Sequence, residues 1–252
     1  MLSLIAAASY FLAIHLLVSG TRVRDALTGQ IGVARYMGFF AIASVAGLAW
    51  LIIAFAQARQ APANDVYWTI SPITRQVQIG LQLLATLLVV PGLTTPNPAS
   101  VRQEGALDRP NAVRGMLRIT RHPFLWGVAI WAAGHLLVNG DAASIILFGS
   151  MLLLALVGTA SIDAKRRRAL GAKWEAFAAQ TSNVPFAAIV QGRQRLKIGE
   201  IGWWRIALAV AVWALLAWAH PYLFGVRALP FSIIASTTAL EASLITPTTS
   251  SS

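Results

Sequence analysis

The chain has 252 residues, no cysteine and a formal net charge of +11, with 57% hydrophobic and only 12% charged residues. Soluble domains carry about 25% charged residues, so this composition excludes an ordinary water-soluble fold and points to a lipid bilayer. The basic residues lie between apolar runs rather than on one polar face, which speaks against nucleic-acid binding; the missing cysteine excludes disulfides, thiolate ligands and thiol nucleophiles.

Six apolar segments follow one another: Leu2–Ser19, Tyr36–Ala56, Ile73–Val90, Pro123–Asn139, Ala142–Ile162 and Trp203–Val226. A bilayer crossing takes about 20 helical residues, and lipid offers no partner for exposed backbone amides. The expected fold is therefore all-α, a polytopic membrane bundle of about six transmembrane helices. Residues 1–229 form the membrane domain and 230–252 a Ser/Thr-rich, disordered tail. No Lys or Arg precedes the first segment, so it reads as a retained helix rather than a secretory signal.

The connections after the first, third and fifth segments, with Arg205, hold 17 Lys and Arg; the other side holds only Arg59, Arg75 and Arg227. Positive charge stays cytoplasmic, so both termini lie on the outer side of the membrane. Gln78 and Gln82 share one side of the third helix, as interhelical hydrogen-bonding residues do. Pro91-Gly92 should end that helix and open a polar, flexible loop. Gly140-Asp141 reads as a tight turn that makes an antiparallel hairpin of the fourth and fifth helices. Asp163 and the run Lys165–Arg168 close the fifth, where basic residues suit the helix dipole and anionic lipid heads. Leu170, Trp174 and Phe177 predict a short amphipathic helix on the cytoplasmic membrane surface. Phe186–Val190 is apolar enough to dip into the interface. His220, beside Trp218 and Tyr222, reads as an interfacial residue of the outer aromatic belt.

The chemistry resides in the histidines. His15 and His135 stand inside apolar segments, where an ionisable side chain is costly unless it has a function or a partner. Two neutral imidazoles facing each other across a bundle can hold a haem iron, and with no cysteine they are the best ligands on offer. Trp131 and Asn139 flank His135 at four residues on the same helix face, one as a ring wall and one as a partner behind the ligand. The alternative is that each histidine only bonds a neighbouring helix. Arg118, Arg121 and His122 gather just before Pro123. There they are able to hold carboxylates or phosphates, such as haem propionates or lipid heads, or to serve as positive-inside anchors.

RITRHPFLWGVAIWAAGHLL (118–137), TSNVPFAAIVQGRQ (181–194) and IHLLVSG around His15 closely resemble the NnrU family of bacterial membrane proteins and its relatives, the zeta-carotene isomerases. The isomerase resemblance implies a haem b held by the first-helix histidine and by the histidine thirteen residues beyond the Arg-His-Pro element, which are His15 and His135 here. The NnrU resemblance implies a link to denitrification, in nitrite and nitric oxide reduction. Two activities follow as expectations: haem-dependent cis–trans isomerisation of a hydrophobic polyene, or a supporting role that meets nitric oxide at the same iron. A more distant similarity is to isoprenylcysteine-type methyltransferases, which share the Arg-His-Pro helix and use S-adenosylmethionine. Those enzymes carry paired glutamates where this chain reads Asp163-Ala164-Lys165-Arg166, so that reading ranks third.

Overall fold

The structure, a computed structural model, describes residues Met1–Leu229; the expected tail at 230–252 lies outside the described residues. It comprises two units, Met1–Ala211 and the chain from Val212 onward. Helix is the dominant form throughout. Among the described residues, four helices are long and apolar enough to cross a membrane: α3 (Val33–Arg59), α4 (Pro72–Thr94), α7 (Ala142–Leu170) and α10 (Trp203–Phe224). The other two expected crossings take different forms.

The first is α1 (Leu2–Leu12) running into a π-helical stretch, Ala13–Val18. After a break the chain resumes as α2 (Arg22–Ile31), turned by 78°. Thr21 sets that corner, because its hydroxyl accepts from the Val23 amide and caps α2. The sequence reading treats residues 20–35 as a plain connection; they are mostly helix.

The other is α6 (Pro123–Val138), whose 16 residues span about 24 Å. Proline at its first position and a strand just beyond Asn139 fix that length. Gly140-Asp141 (β2) is more than a turn. It pairs antiparallel with β1 (Val66–Trp68), and the Asp141 carboxylate caps α7 by accepting from the Ser144 amide.

Pro91 does not stop α4. The helix continues to Thr94, where the Arg205 guanidinium donates to the Thr94 carbonyl and hydroxyl at 3.1 and 3.2 Å. A cation on the orphan carbonyls of a helix end is favourable. The loop beyond is less free than its composition suggests. Asn97 is buried and donates to the Arg121 carbonyl at 3.0 Å.

Three cores hold the first unit together. Leu4, Ala7, Ala8 and Phe11 of α1 pack on Leu51 and Ala54 of α3 and Ala143 of α7. Leu88 of α4 meets Met116 and Ile119 of α5 (Met116–Ile119), with Ile201 beside them. Ala99, Leu117, Trp174 and Phe177 form the third. That last cluster corrects an expectation: α8 (Ala172–Gln180) does not spend its apolar face on the membrane surface. Leu117 and Ala99 already cover that face, and Trp174 is fully buried. The segment after Pro185 is tied to the domain, since the Phe186 amide donates to the Ile119 carbonyl and α9 (Ala187–Val190) buries Ala188, while Phe186 and Val190 stay exposed.

Candidate functional site: two histidines and a buried ion cluster

His15 lies in the π-helical stretch, a local geometry that recurs at functional sites. Its Nδ1 donates to the Phe11 carbonyl at 2.8 Å, and its ring packs against Phe11 and Phe40. His135 repeats the arrangement on α6. Its Nδ1 donates to the Trp131 carbonyl at 2.8 Å, and its ring stacks on Phe148 of α7 with centroids 4.6 Å apart. The Trp131 ring lies one turn back on the same helix, its centroid 4.9 Å from that of His135. Asn139 sits close by in another role, donating to the His135 carbonyl at 2.8 Å where α6 ends.

An imidazole that donates Nδ1–H to a backbone carbonyl keeps its lone pair on Nε2, and ligating histidines are held in this way. Helix α7 serves as a ruler between the two. Just beyond the π-helical stretch, Gly20 abuts Ser161; α6 runs the other way, with Leu125 beside Gly158 and His135 beside Phe148. Counted along α7 at 1.5 Å per residue, the two histidine Cα atoms differ in level by about 12 Å. Each ring folds back over its own preceding turn, and because α1 and α6 run in opposite directions each leans, along the axis of α7, toward the other's level. Donor type and tautomer in each case are those of a histidine able to ligate a metal.

Arg118, Arg121 and His122 are not gathered into one open anion pocket. Each already has a carboxylate from far along the chain. Arg118 forks onto Glu200, Nε to Oε2 at 2.7 Å and Nη2 to Oε1 at 3.1 Å, while the Gly115 amide donates to the same carboxylate. Arg121 and His122 share Asp163. Arg121 Nε donates to both its oxygens at 2.9 and 3.1 Å, Arg121 Nη2 pairs with Oδ2, and His122 Nε2 bonds Oδ1 at 2.7 Å. Asn183 adds a longer contact to Asp163, and its carbonyl accepts from Thr120 and Trp126. His122 is buried, so it forms part of this cluster and not of a solvent-facing mouth. Asp163 and Glu200 are the site residues that sequence reasoning missed. Asp163, a carboxylate directly after an uncharged apolar run, was the available signal; Glu200 gave none.

The forked Arg118 holds the Glu200 carboxyl down at about 2, against roughly 4.3 for a free glutamate. A depressed carboxylate contributes stability that is complete above its unfolded value and is lost as pH falls through its folded one. Acidification from about pH 5 to pH 2 should therefore lower the thermal midpoint of the wild type more than that of Glu200→Gln. Near-ultraviolet circular dichroism across that range reads the difference, and parallel curves would remove Glu200 from the account.

His220 belongs to the second unit. Its Nδ1 donates to the Val226 carbonyl at 2.7 Å, and Trp218 and Tyr222 pair one turn apart with centroids 5.4 Å from each other. Both aromatic residues are exposed, as an interfacial belt requires.

A profile of the family described as "NnrU protein" matches residues 3–228. The chain belongs to the NnrU family. This NnrU-family chain is also 32% identical over 104 residues to a 15-cis-zeta-carotene isomerase, chloroplastic, from Zea mays, and 31% identical over 104 residues to its Arabidopsis thaliana counterpart. Each match covers 40% of this chain and 28% of the relative, so the NnrU-family chain shares little more than a quarter of those proteins' length. No solved structure matches it.

Proposed function

We propose that this NnrU-family protein is a bacterial inner-membrane haem b protein that isomerises the cis double bonds of a polyene. It crosses the membrane six times, with α1 and α6 as the two unconventional crossings and both termini periplasmic. His15 and His135 would hold the haem iron, Trp131 would wall the ring on α6, and Asn139 secures the end of that helix. The observation that carries this reading is the shared posture of the two imidazoles, each donating Nδ1–H to the carbonyl four residues back. When bound, a haem would supply a redox-switchable iron centre. The protein contributes the apolar surroundings, the fixed tautomers and the aromatic walls of Phe40, Phe148 and Trp131. The likeness to the two zeta-carotene isomerases supports the substrate class.

Denitrification remains a second reading, because the NnrU match spans nearly the whole chain whereas the isomerase likeness covers 40% of it. In that case the same iron meets nitric oxide and no polyene turns over.

Detergent-extracted protein should show a Soret band that disappears in His15→Ala and in His135→Ala. An unchanged spectrum in both variants would overturn the ligand assignment. Conversion of a cis-polyene by the pigmented protein separates isomerase from nitric-oxide factor, and tight S-adenosylmethionine binding without pigment would point to a methyltransferase instead.

A further inference from the structure

Gln82, on α4, reaches across to α6. Its Nε2 donates to the Trp131 carbonyl at 3.3 Å, and that same oxygen accepts Nδ1–H of His135 at 2.8 Å. Helical position makes the His135 backbone amide a third donor to it. A carbonyl oxygen offers two lone pairs, so three donors compete. Gln78, one turn earlier on α4, leaves its Oε1 buried and without a hydrogen-bond partner beside Gly134. The two amides can sit against α6 only because position 134 has no side chain; a Cβ there would strike both Gln78 and Gln82.

We infer that Gln82 is a positioning residue for His135: by sharing the Trp131 carbonyl it limits how strongly Nδ1–H is bound, and so how electron-rich the ring becomes at Nε2. A stronger bond at Nδ1 raises ligand basicity, and a weaker one lowers it. The helix–helix contact thereby sets a property of the imidazole besides its place. The redox consequence rests on the haem reading of His135; the effect on the proton does not.

The first test uses protein without haem. In ¹⁵N-histidine-labelled protein in detergent, with His135 assigned by His135→Ala, the His135 Nδ1 proton should move downfield in Gln82→Met, because its acceptor has lost a competitor. It should stay in place in Gln76→Met, which alters an exposed glutamine of the same helix. An unmoved or upfield-shifted proton in a Gln82→Met protein of wild-type helicity overturns the inference. Should Gln82→Met not fold, wild-type protein labelled with ¹⁵N-glutamine and carbonyl-¹³C-tryptophan gives the second measurement. Dipolar coupling between the Gln82 side-chain nitrogen and the Trp131 carbonyl carbon supports the inference, and its absence overturns it. In pigmented Gln82→Met, ferric iron should be favoured over ferrous by up to about tenfold, a negative shift of about 59 mV for one electron. A shifted proton with no pigment in any variant would sink the haem reading and leave Gln82 in its role; a shifted proton with an unmoved potential would sink the redox consequence.

Discussion

Asp163→Ala should destabilise the protein by about 3–5 kcal/mol, the expected result of deleting one partner from a buried ion cluster. The side chain of His122 is only 2% exposed, and those of Arg121 and Asp163 are 11% exposed each. Without the carboxylate, a guanidinium and an imidazole remain buried with no counter-charge, and the desolvation of the arginine goes uncompensated. Asp163→Asn keeps the volume and one acceptor, so it should lose less, about 1.5–3 kcal/mol for the charge-assisted hydrogen bonds. The contrast is Arg167–Glu175, whose two side chains are each 54% exposed; Glu175→Ala should cost about 1 kcal/mol or less. Unfolding curves in mixed micelles measure all three. If Asp163→Ala unfolds no more easily than Glu175→Ala, the cluster contributes nothing to holding α7 against the Arg-His-Pro turn. The double replacement Arg121→Met with Asp163→Leu should recover much of the loss, because a cluster removed whole leaves no orphaned charge.

The cluster also marks where sequence reading stops. Apolar runs of membrane length, and histidines within them, are visible residue by residue, because the physics that selects them is local: backbone amides must be satisfied inside the segment. The long helices α3, α4, α7 and α10 are legible for that reason. Partnership is not local. Arg121 and Asp163 are 42 residues apart and Arg118 and Glu200 are 82, so nothing in either neighbourhood names the other. The same holds for Trp174, whose spacing reads as a membrane-facing stripe until Leu117 is found covering it. The short strands β1 and β2 carry too few residues for a period to show. In the case of His15 and His135, the sequence yields residue type and apolar setting. The i−4 hydrogen bonds and the leaning of the rings follow from helix direction, which only the packing of α1 and α6 on α7 reveals.

Gly127→Leu should be the most damaging apolar substitution at the α4–α6 contact, costing about 3 kcal/mol or more and displacing α6 with its imidazole. A Cβ at position 127 would come within 2.8 Å of the Ala85 carbonyl oxygen and 3.0 Å of the Val89 amide nitrogen. Both are backbone atoms of α4, so no rotamer change relieves the clash and the helices must separate. Membrane helices without a hydrophobic drive between them depend on such close approach at small residues. Gly92 shows the reverse contact, where a Cβ would meet the Phe124 amide nitrogen at 2.8 Å. Gly127→Ala should already cost about 1–3 kcal/mol through overpacking. Gly149 on α7 has open space around its Cβ position, and Gly149→Ala should be neutral or stabilise by up to about 1 kcal/mol through helix propensity. Both variants exchange the same hydrogen for the same methyl group within a membrane helix, so their difference isolates the interhelical contact from the glycine itself. Because Gly127 and His135 share α6, Gly127→Leu should also weaken any band contributed by His135, which Gly149→Ala should leave unchanged. Equal unfolding midpoints for Gly127→Ala and Gly149→Ala would mean that α4 and α6 do not meet backbone to backbone, and the route from Gln82 to the Trp131 carbonyl would lose its support.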